Sequence, residues 1–114
     1  MDSCIFCQIV KKEIPAEILY EDDRLVVFRD IKPAAPVHLL FVPKKHIPTL
    51  MDLSEEDARV IGHLHLVSVR LARDLGLVGR GFRMVTNSEK DGGQLIYHLH
   101  YHFLGGRPLQ WPPG

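Results

Sequence analysis

Residues 98–104 read His-Leu-His-Tyr-His-Phe-Leu, so every second side chain over five positions is an imidazole. In an extended strand such alternation puts His98, His100 and His102 on one face and Leu99, Tyr101 and Phe103 on the other. The apolar face belongs against a core or a packed helix, and the imidazoles therefore line an open face or cleft. Same-face neighbours in a strand lie about 6.8 Å apart, which separates the outer two histidines by roughly 13–14 Å at the backbone. One metal ion takes two neighbours on such a row more readily than all three, so the rings are expected to do different jobs. A solvated stripe with no role and a purely metal-binding stripe are the competing readings, and clustered histidines seldom arise for packing reasons.

The rest of the chain reads as the sheet and helices this strand needs. Ser3 is placed to cap a short helix over 4–11, with Phe6, Ile9 and Val10 on its apolar face, and Pro15 breaks it. Strands are predicted at 18–20 and 25–29 around the polar turn 21–23, at 38–42 up to Pro43, at 81–87 and at 97–104. A long helix begins at Ser54 with Glu55, Glu56 and Asp57 in its first turn, where negative charge meets the positive end of the dipole. Its stripe of Val60, Leu64, Val67, Leu71 and Leu75 matches a helix packed on a sheet, and Gly76 ends it. Residues 88–93 are predicted to be a glycine-containing loop. The fold class is α+β: a five-stranded antiparallel sheet with one long and one short helix, in a single domain over residues 1–114.

Composition excludes several classes. With 46% hydrophobic and 25% charged residues the chain is neither disordered nor fibrous. Fourteen basic residues balance fourteen acidic ones, which argues against a nucleic-acid footprint but leaves room for one small anionic ligand. No apolar run approaches the roughly 20 residues a membrane span requires. The N-terminus lacks the pattern of a secretory signal, and the chain's two cysteines are too close to clamp a fold, so a cytoplasmic, reducing location is expected.

The motif His98-Leu-His100-Tyr-His102-Phe-Leu resembles the signature of the histidine triad family. The likeness is closest to its nucleotide-binding phosphoramidate hydrolases. It runs through Ile5-Phe6, Glu13-Ile14-Pro15, Phe28-Arg29-Asp30-Ile31, Pro36-Val37-His38, Val42-Pro43-Lys44-Lys45-His46, Asp91-Gly92-Gly93-Gln94, Leu104-Gly105-Gly106-Arg107 and Trp111-Pro112-Pro113-Gly114. The resemblance implies cleavage of the P–N bond of a purine nucleoside 5′-phosphoramidate, with His100 as nucleophile and a nucleotidyl-histidine intermediate. A neutral imidazole is nucleophilic near pH 7 without special activation. His102 is then expected to hold phosphoryl oxygens or the leaving group, with His98 and His38 orienting or relaying protons. Asp30 resembles the family's ribose-binding acid, and Asn87 its phosphate or ribose partner. The Gly92-Gly93-Gln94 backbone is a candidate anion cradle. Phe6, Ile9, Ile14, Phe28 and Ile31 would sandwich the base. Leu95 stands where several relatives carry a polar residue, so only its backbone N–H is expected to serve, with a changed leaving-group preference.

Cys4-x-x-Cys7 taken alone is a redox pair, a zinc half-site or two ordinary thiols, and no strand precedes it as a thioredoxin-type motif would require. Some family members bind structural zinc through positions that fall here on Cys4, Cys7, His46 and His98, a donor set zinc prefers. No organic cofactor is implied. His63 and His65, two apart on the long helix, read as flank residues, and Lys11-Lys12 and Lys44-Lys45 as solvated pairs. The resemblance also implies a homodimer with a continuous ten-stranded sheet, and a Trp111–Gly114 tail that docks near the partner's active site. The alternatives are a dinucleoside polyphosphate hydrolase and a nucleotide-binding scaffold with incidental hydrolysis.

Overall fold

The computed structural model describes residues 3–114. Helix α1 covers Ile5–Val10, followed by strands β1 (Ile18–Glu21), β2 (Leu25–Arg29) and β3 (Val37–Pro43). Short 3-10 turns at Leu50–Asp52 and Glu55–Asp57 lead into α2 (Ala58–Asp74), then come β4 (Phe82–Val85), the single-turn α3 (Glu89–Gly92) and β5 (Tyr101–Gly105). The five strands form one antiparallel sheet in the order β1-β2-β3-β5-β4.

The period-2 geometry of β2 and β3 builds a core on each side of this sheet. Leu25, Val27, Leu39 and Phe41 face α2 and join Leu64, Val67, Leu71 and Phe103. Val26, Phe28, Leu40 and Val42 face the other way, under Phe6 and Ile9 of α1. The central strands are thus buried on both faces. The α2 stripe packs as its spacing predicts, and Gly76, at φ +74°, lets the Leu77 N–H reach back to Ala72 O at 2.8 Å. Among the described residues no helix is long and apolar enough to cross a membrane.

Four local expectations change. The cap of α1 is Cys4, whose sulfur accepts from the Cys7 amide at 3.4 Å, rather than Ser3. Residues 89–92 close a helical turn where a loop was predicted. Lys12, Lys44 and Lys45 are ion-paired, with Glu21, Glu21 and Asp57, at 2.5, 2.7 and 2.7 Å. The fourth change concerns the histidines: the ladder of β5 begins at Tyr101, so only His102 of the three lies in the strand. Its last pair with β3 is Phe41↔Tyr101. Beyond it β3 ends in Pro43, which has no N–H to extend the ladder, and on the other side the Thr86 hydroxyl donates to His100 O at 2.9 Å in place of a backbone bond.

Candidate functional site

The register of β3 and β5 pairs His38 with Leu104 and Leu40 with His102. His38 and His102 are therefore diagonal neighbours on one face, within reach of each other's rings. His38 Nε2 lies 2.9 Å from His102 Nδ1, and the Ala34 amide donates to His38 Nδ1 at 2.9 Å. These contacts assign the protons. A His38 Nδ1 that accepts from Ala34 carries no hydrogen, so neutral His38 bears its proton on Nε2 and donates it to His102 Nδ1. His102 in turn keeps its own proton on Nε2, on the cavity side. Asp30 Oδ2 stands 3.4 Å from His38 Nε2, while Asp30 Oδ1 accepts from the Lys32 amide at 2.8 Å.

His100 sits just before β5, its ring 5.2 Å from that of His102 and edge-on to Phe6 at 4.9 Å. His100 Nδ1 donates to the carbonyl of His98 at 2.7 Å, which leaves Nε2 with a bare lone pair. Burial pushes the pKa of His100 below the ordinary imidazole value, against the opposing pull of the His98 carbonyl and Asp30. Burial also lowers His38, and it takes His102 down to about 4 with help from the neighbouring rings. All three are neutral near pH 7, the state in which an imidazole is a nucleophile.

These rings line a cavity of about 450 Å³ together with Phe6, Asp30, Lys32, Leu40, Asn87, Gly93, Leu95 and Ile96. It adjoins a pocket of about 230 Å³ that is mostly apolar, walled by Ile5, Phe6, Ile9, Ile14, Phe28, Ile31 and Ile96, with Asp30 at the junction of the two. The expected base-binding side chains are thus gathered in one place, and Ile31, 92% exposed, stands at the rim. A ring system fits the apolar pocket, and an anionic or polar group fits the histidine cavity.

The glycine segment departs from expectation. The Gly93 and Gln94 amides donate to Lys90 O and Glu89 O at the end of α3, so neither is available as an anion cradle. The Gln94 side chain is buried away from the cavity, between the Pro48 and Ile96 carbonyls and the Glu89 amide. Gly93, with φ +81°, borders the cavity as the left-handed residue that ends α3. Leu95 lies at the mouth, 91% exposed. Lys32, Leu40 and Ile96 were not singled out in the sequence. The pairing of Leu40 with His102 would have found the second, and the neighbourhood of Asp30 the first.

The His98 ring turns the opposite way and is fully buried rather than lining an open face. Its Nδ1 lies 3.3 and 3.4 Å from the sulfurs of Cys4 and Cys7 and 3.1 Å from His46 Nδ1, which is itself 3.2 Å from Cys7 Sγ. A tetrahedral zinc with ordinary bond lengths has N···N and S···N edges of roughly 3.3–3.6 Å, so these four separations already stand within a few tenths of an ångström of that figure, and all four donor atoms lie within 4.8 Å of one another. The tautomer also fits. His98 Nε2 donates to Pro43 O at 2.7 Å, which puts the lone pair on Nδ1, the atom that faces the cysteines, and supplies the outer hydrogen bond that orients a ligating histidine. Asp30, His38 and His102 also converge, but there the Ala34 amide commits the His38 proton to Nε2, where a metal would have to bind. That trio is a hydrogen-bonded relay.

The tail is less docked than its composition suggests. Trp111 is 80% exposed, and Arg83 holds the segment by donating to Gln110 O at 3.0 Å. A further cavity of about 540 Å³ runs from His38, Asn87 and His102 past Arg83 to Pro113 and Gly114.

Comparisons with known proteins agree with this geometry. Residues 3–108 match the family described as scavenger mRNA decapping enzyme C-term binding. An uncharacterized HIT-like protein of Synechocystis is 49% identical over 113 residues, covering 99% of this chain and 98% of the relative. The crystal structure of a HIT family hydrolase from Legionella pneumophila superposes with a TM-score of 0.96 at 46% identity, covering 98% of this chain and 100% of the other. A zinc-bound histidine triad family protein from Mycobacterium smegmatis gives a TM-score of 0.80 at 33% identity, covering 92% and 76% of the two chains.

Proposed function

The chain belongs to the histidine triad family, and on that premise we propose that it hydrolyses the P–N bond of purine nucleoside 5′-phosphoramidates through a nucleotidyl-His100 intermediate. The observation that carries this reading is the His100 ring. Its Nδ1–H is spent on the His98 carbonyl, and its bare Nε2 stands in a cavity shared with His102, Asp30 and Asn87. In the first step His100 Nε2 attacks the α-phosphorus and the P–N bond breaks as the amine leaves. The His102 Nε2–H donates to a non-bridging oxygen of that phosphorus, and the leaving nitrogen takes its proton from solvent water. In the second step the hydroxide so formed attacks the same phosphorus and the bond to His100 breaks, releasing the nucleoside monophosphate and the neutral His100. The base occupies the apolar pocket, Asp30 accepts from the ribose hydroxyls, Asn87 donates to phosphate, and Lys32 and the Leu95 N–H supply further positive character.

Cys4, Cys7, His46 and His98 hold structural zinc in this reading, as a relative's zinc supports. Bound there, the ion supplies a cross-link between α1, the segment after β3 and the approach to β5. The sheet continues through its β4 edge into a second copy, with Leu66 and Val69, exposed on α2, covered in the dimer and the Trp111 tail near the partner's site. Sedimentation analysis tests this arrangement.

The deciding experiment uses adenosine 5′-phosphoramidate labelled at phosphorus, rapid quenching and mass-spectrometric mapping, with diadenosine polyphosphate assayed in parallel. Label on His100, lost in His100→Ala together with turnover, is expected. Label on another residue, or faster cleavage of the polyphosphate, overturns the proposal.

A further inference from the structure

The hydrogen-bond chain behind the cavity does not end at His38. Arg107, just after β5, donates from Nη2 to the carbonyl of Ala34 at 2.8 Å and from Nη1 to Pro108 O at 3.0 Å. Ala34 is the residue whose amide fixes His38. It lies in the stretch Pro33-Ala34-Ala35-Pro36, where both prolines lack an N–H and no strand ladder holds the backbone. The same corner is packed closely from the other side: a Cβ on Gly106, at φ +91°, would come within 2.9 Å of Pro36 Cβ.

We infer that Arg107 is a positioning residue for the reaction: by holding the Ala34 segment it sets the proton arrangement of His38 and, through it, of His102. The chemistry follows from which atoms carry hydrogens. With the Ala34 N–H on His38 Nδ1, the relay runs outward and His102 presents an Nε2–H to the cavity. If Ala34 drifts away, His38 is free to protonate Nδ1 and accept at Nε2. His102 then donates from Nδ1 and turns a bare Nε2 lone pair toward the phosphate. A donor to phosphoryl oxygens becomes an acceptor facing them, which costs transition-state stabilisation rather than base or ribose binding. Arg107 suits the task because its planar fork reaches two carbonyls at once and stays charged at every working pH.

The inference rests on the nucleotidyl-transfer reading of the cavity, so its test includes a readout that needs no turnover. Long-range proton–nitrogen NMR of histidine-labelled protein reports which ring nitrogen of His38 and His102 carries the proton. In the wild type both are expected to be protonated at Nε2, and in Arg107→Met both should become mixed. With adenosine 5′-phosphoramidate, R107M should lose about tenfold in kcat with KM within about twofold, the scale typical of orienting hydrogen-bond partners. Arg107→Lys, which retains a donor for one carbonyl, should recover most of that loss. Wild-type tautomers or wild-type kcat in R107M, or an R107K no better than R107M, overturn the inference. A wild-type His38 protonated at Nδ1 does so even where R107M fails to fold. If the wild type does not cleave the phosphoramidate, the functional reading falls, and the tautomer comparison still decides the role of Arg107.

Discussion

The carbonyl of His98 accepts the Nδ1–H of His100 at 2.7 Å, while the His98 ring is turned away among Cys4, Cys7 and His46. One residue thus joins the two centres: its side chain belongs to the cysteine cluster, and its backbone aims the ring of His100, the proposed nucleophile. Anything that loosens the cluster should be felt at His100.

Zinc removal is the direct expression of that link. Protein purified without added metal should contain close to one zinc per chain, and Cys4→Ser should contain little. Dialysis against a chelator should lower the melting temperature by roughly 8 °C, equivalent to about 2 kcal/mol in a chain of this size. Turnover should fall as the His98 carbonyl loses its fixed position. Equal metal content in wild type and C4S, by plasma emission, would remove the cluster's assigned role.

The neutral rings give a signed pH prediction. Burial lowers His102 from an ordinary value near 6.5 to about 4. Between those values the unfolded chain takes up a proton that the folded one refuses. Stability is therefore fully present above pH 6.5 and declines as pH falls toward 4, by on the order of 3 kcal/mol from this ring. Urea unfolding at pH 7, 5.5 and 4 should show the decline. His102→Asn, which cannot titrate, should reduce it, and an H102N profile as steep as wild type would assign the slope to other groups.

What was legible in the sequence was what period and residue type determine. The α2 stripe, the first four strands and the grouping of Cys4, Cys7, His46 and His98 appear close to where spacing or resemblance places them. What was not legible depends on which backbone groups find partners. The alternation over 98–104 reads as a full strand, yet the ladder stops at Tyr101 because Pro43 has no N–H to offer and its carbonyl takes the His98 ring instead. Gly92-Gly93-Gln94 reads as an anion cradle, yet two of its amides are consumed by α3. Lys32 and Ala34 carry no motif of their own, and the register that puts His38 beside His102 gives them their importance.

Gly106 tests the corner behind His38 by packing alone. An alanine there would adopt φ +91° and press its Cβ to 2.9 Å from Pro36, with Pro36 Cγ at 3.3 Å. A proline ring within a two-proline segment has little room to yield. Gly106→Ala is expected to cost about 1–3 kcal/mol, measured by denaturant unfolding, whereas Gly79→Ala, at a similar φ in open space, should pay only the backbone part. Equal losses in the two variants would show that the contact with Pro36 carries no energy.

Asp22 secures the β1–β2 turn to α2. Its Oδ2 accepts from Tyr20 Oη at 2.7 Å and from His63 Nε2 at 2.5 Å, and its Oδ1 accepts from the Arg24 and Leu25 amides at 2.8 and 2.9 Å. Burial alone would raise this carboxyl, but the hydrogen bonds from Tyr20, His63 and the two amides outweigh it and hold the group well below the usual carboxylate range. A lowered folded pKa means stabilisation that is present above the unfolded value near 4 and lost as pH falls below it. Asp22→Asn keeps the shape and a carbonyl acceptor but removes the charge, so it should cost about 2 kcal/mol at pH 7. That gap should narrow at pH 3, where the unfolded wild-type chain takes up a proton that the folded carboxylate does not. Urea unfolding of both proteins at pH 7 and pH 3 measures it, and a gap of constant size would mean that the turn is held by geometry rather than by the ionised carboxylate.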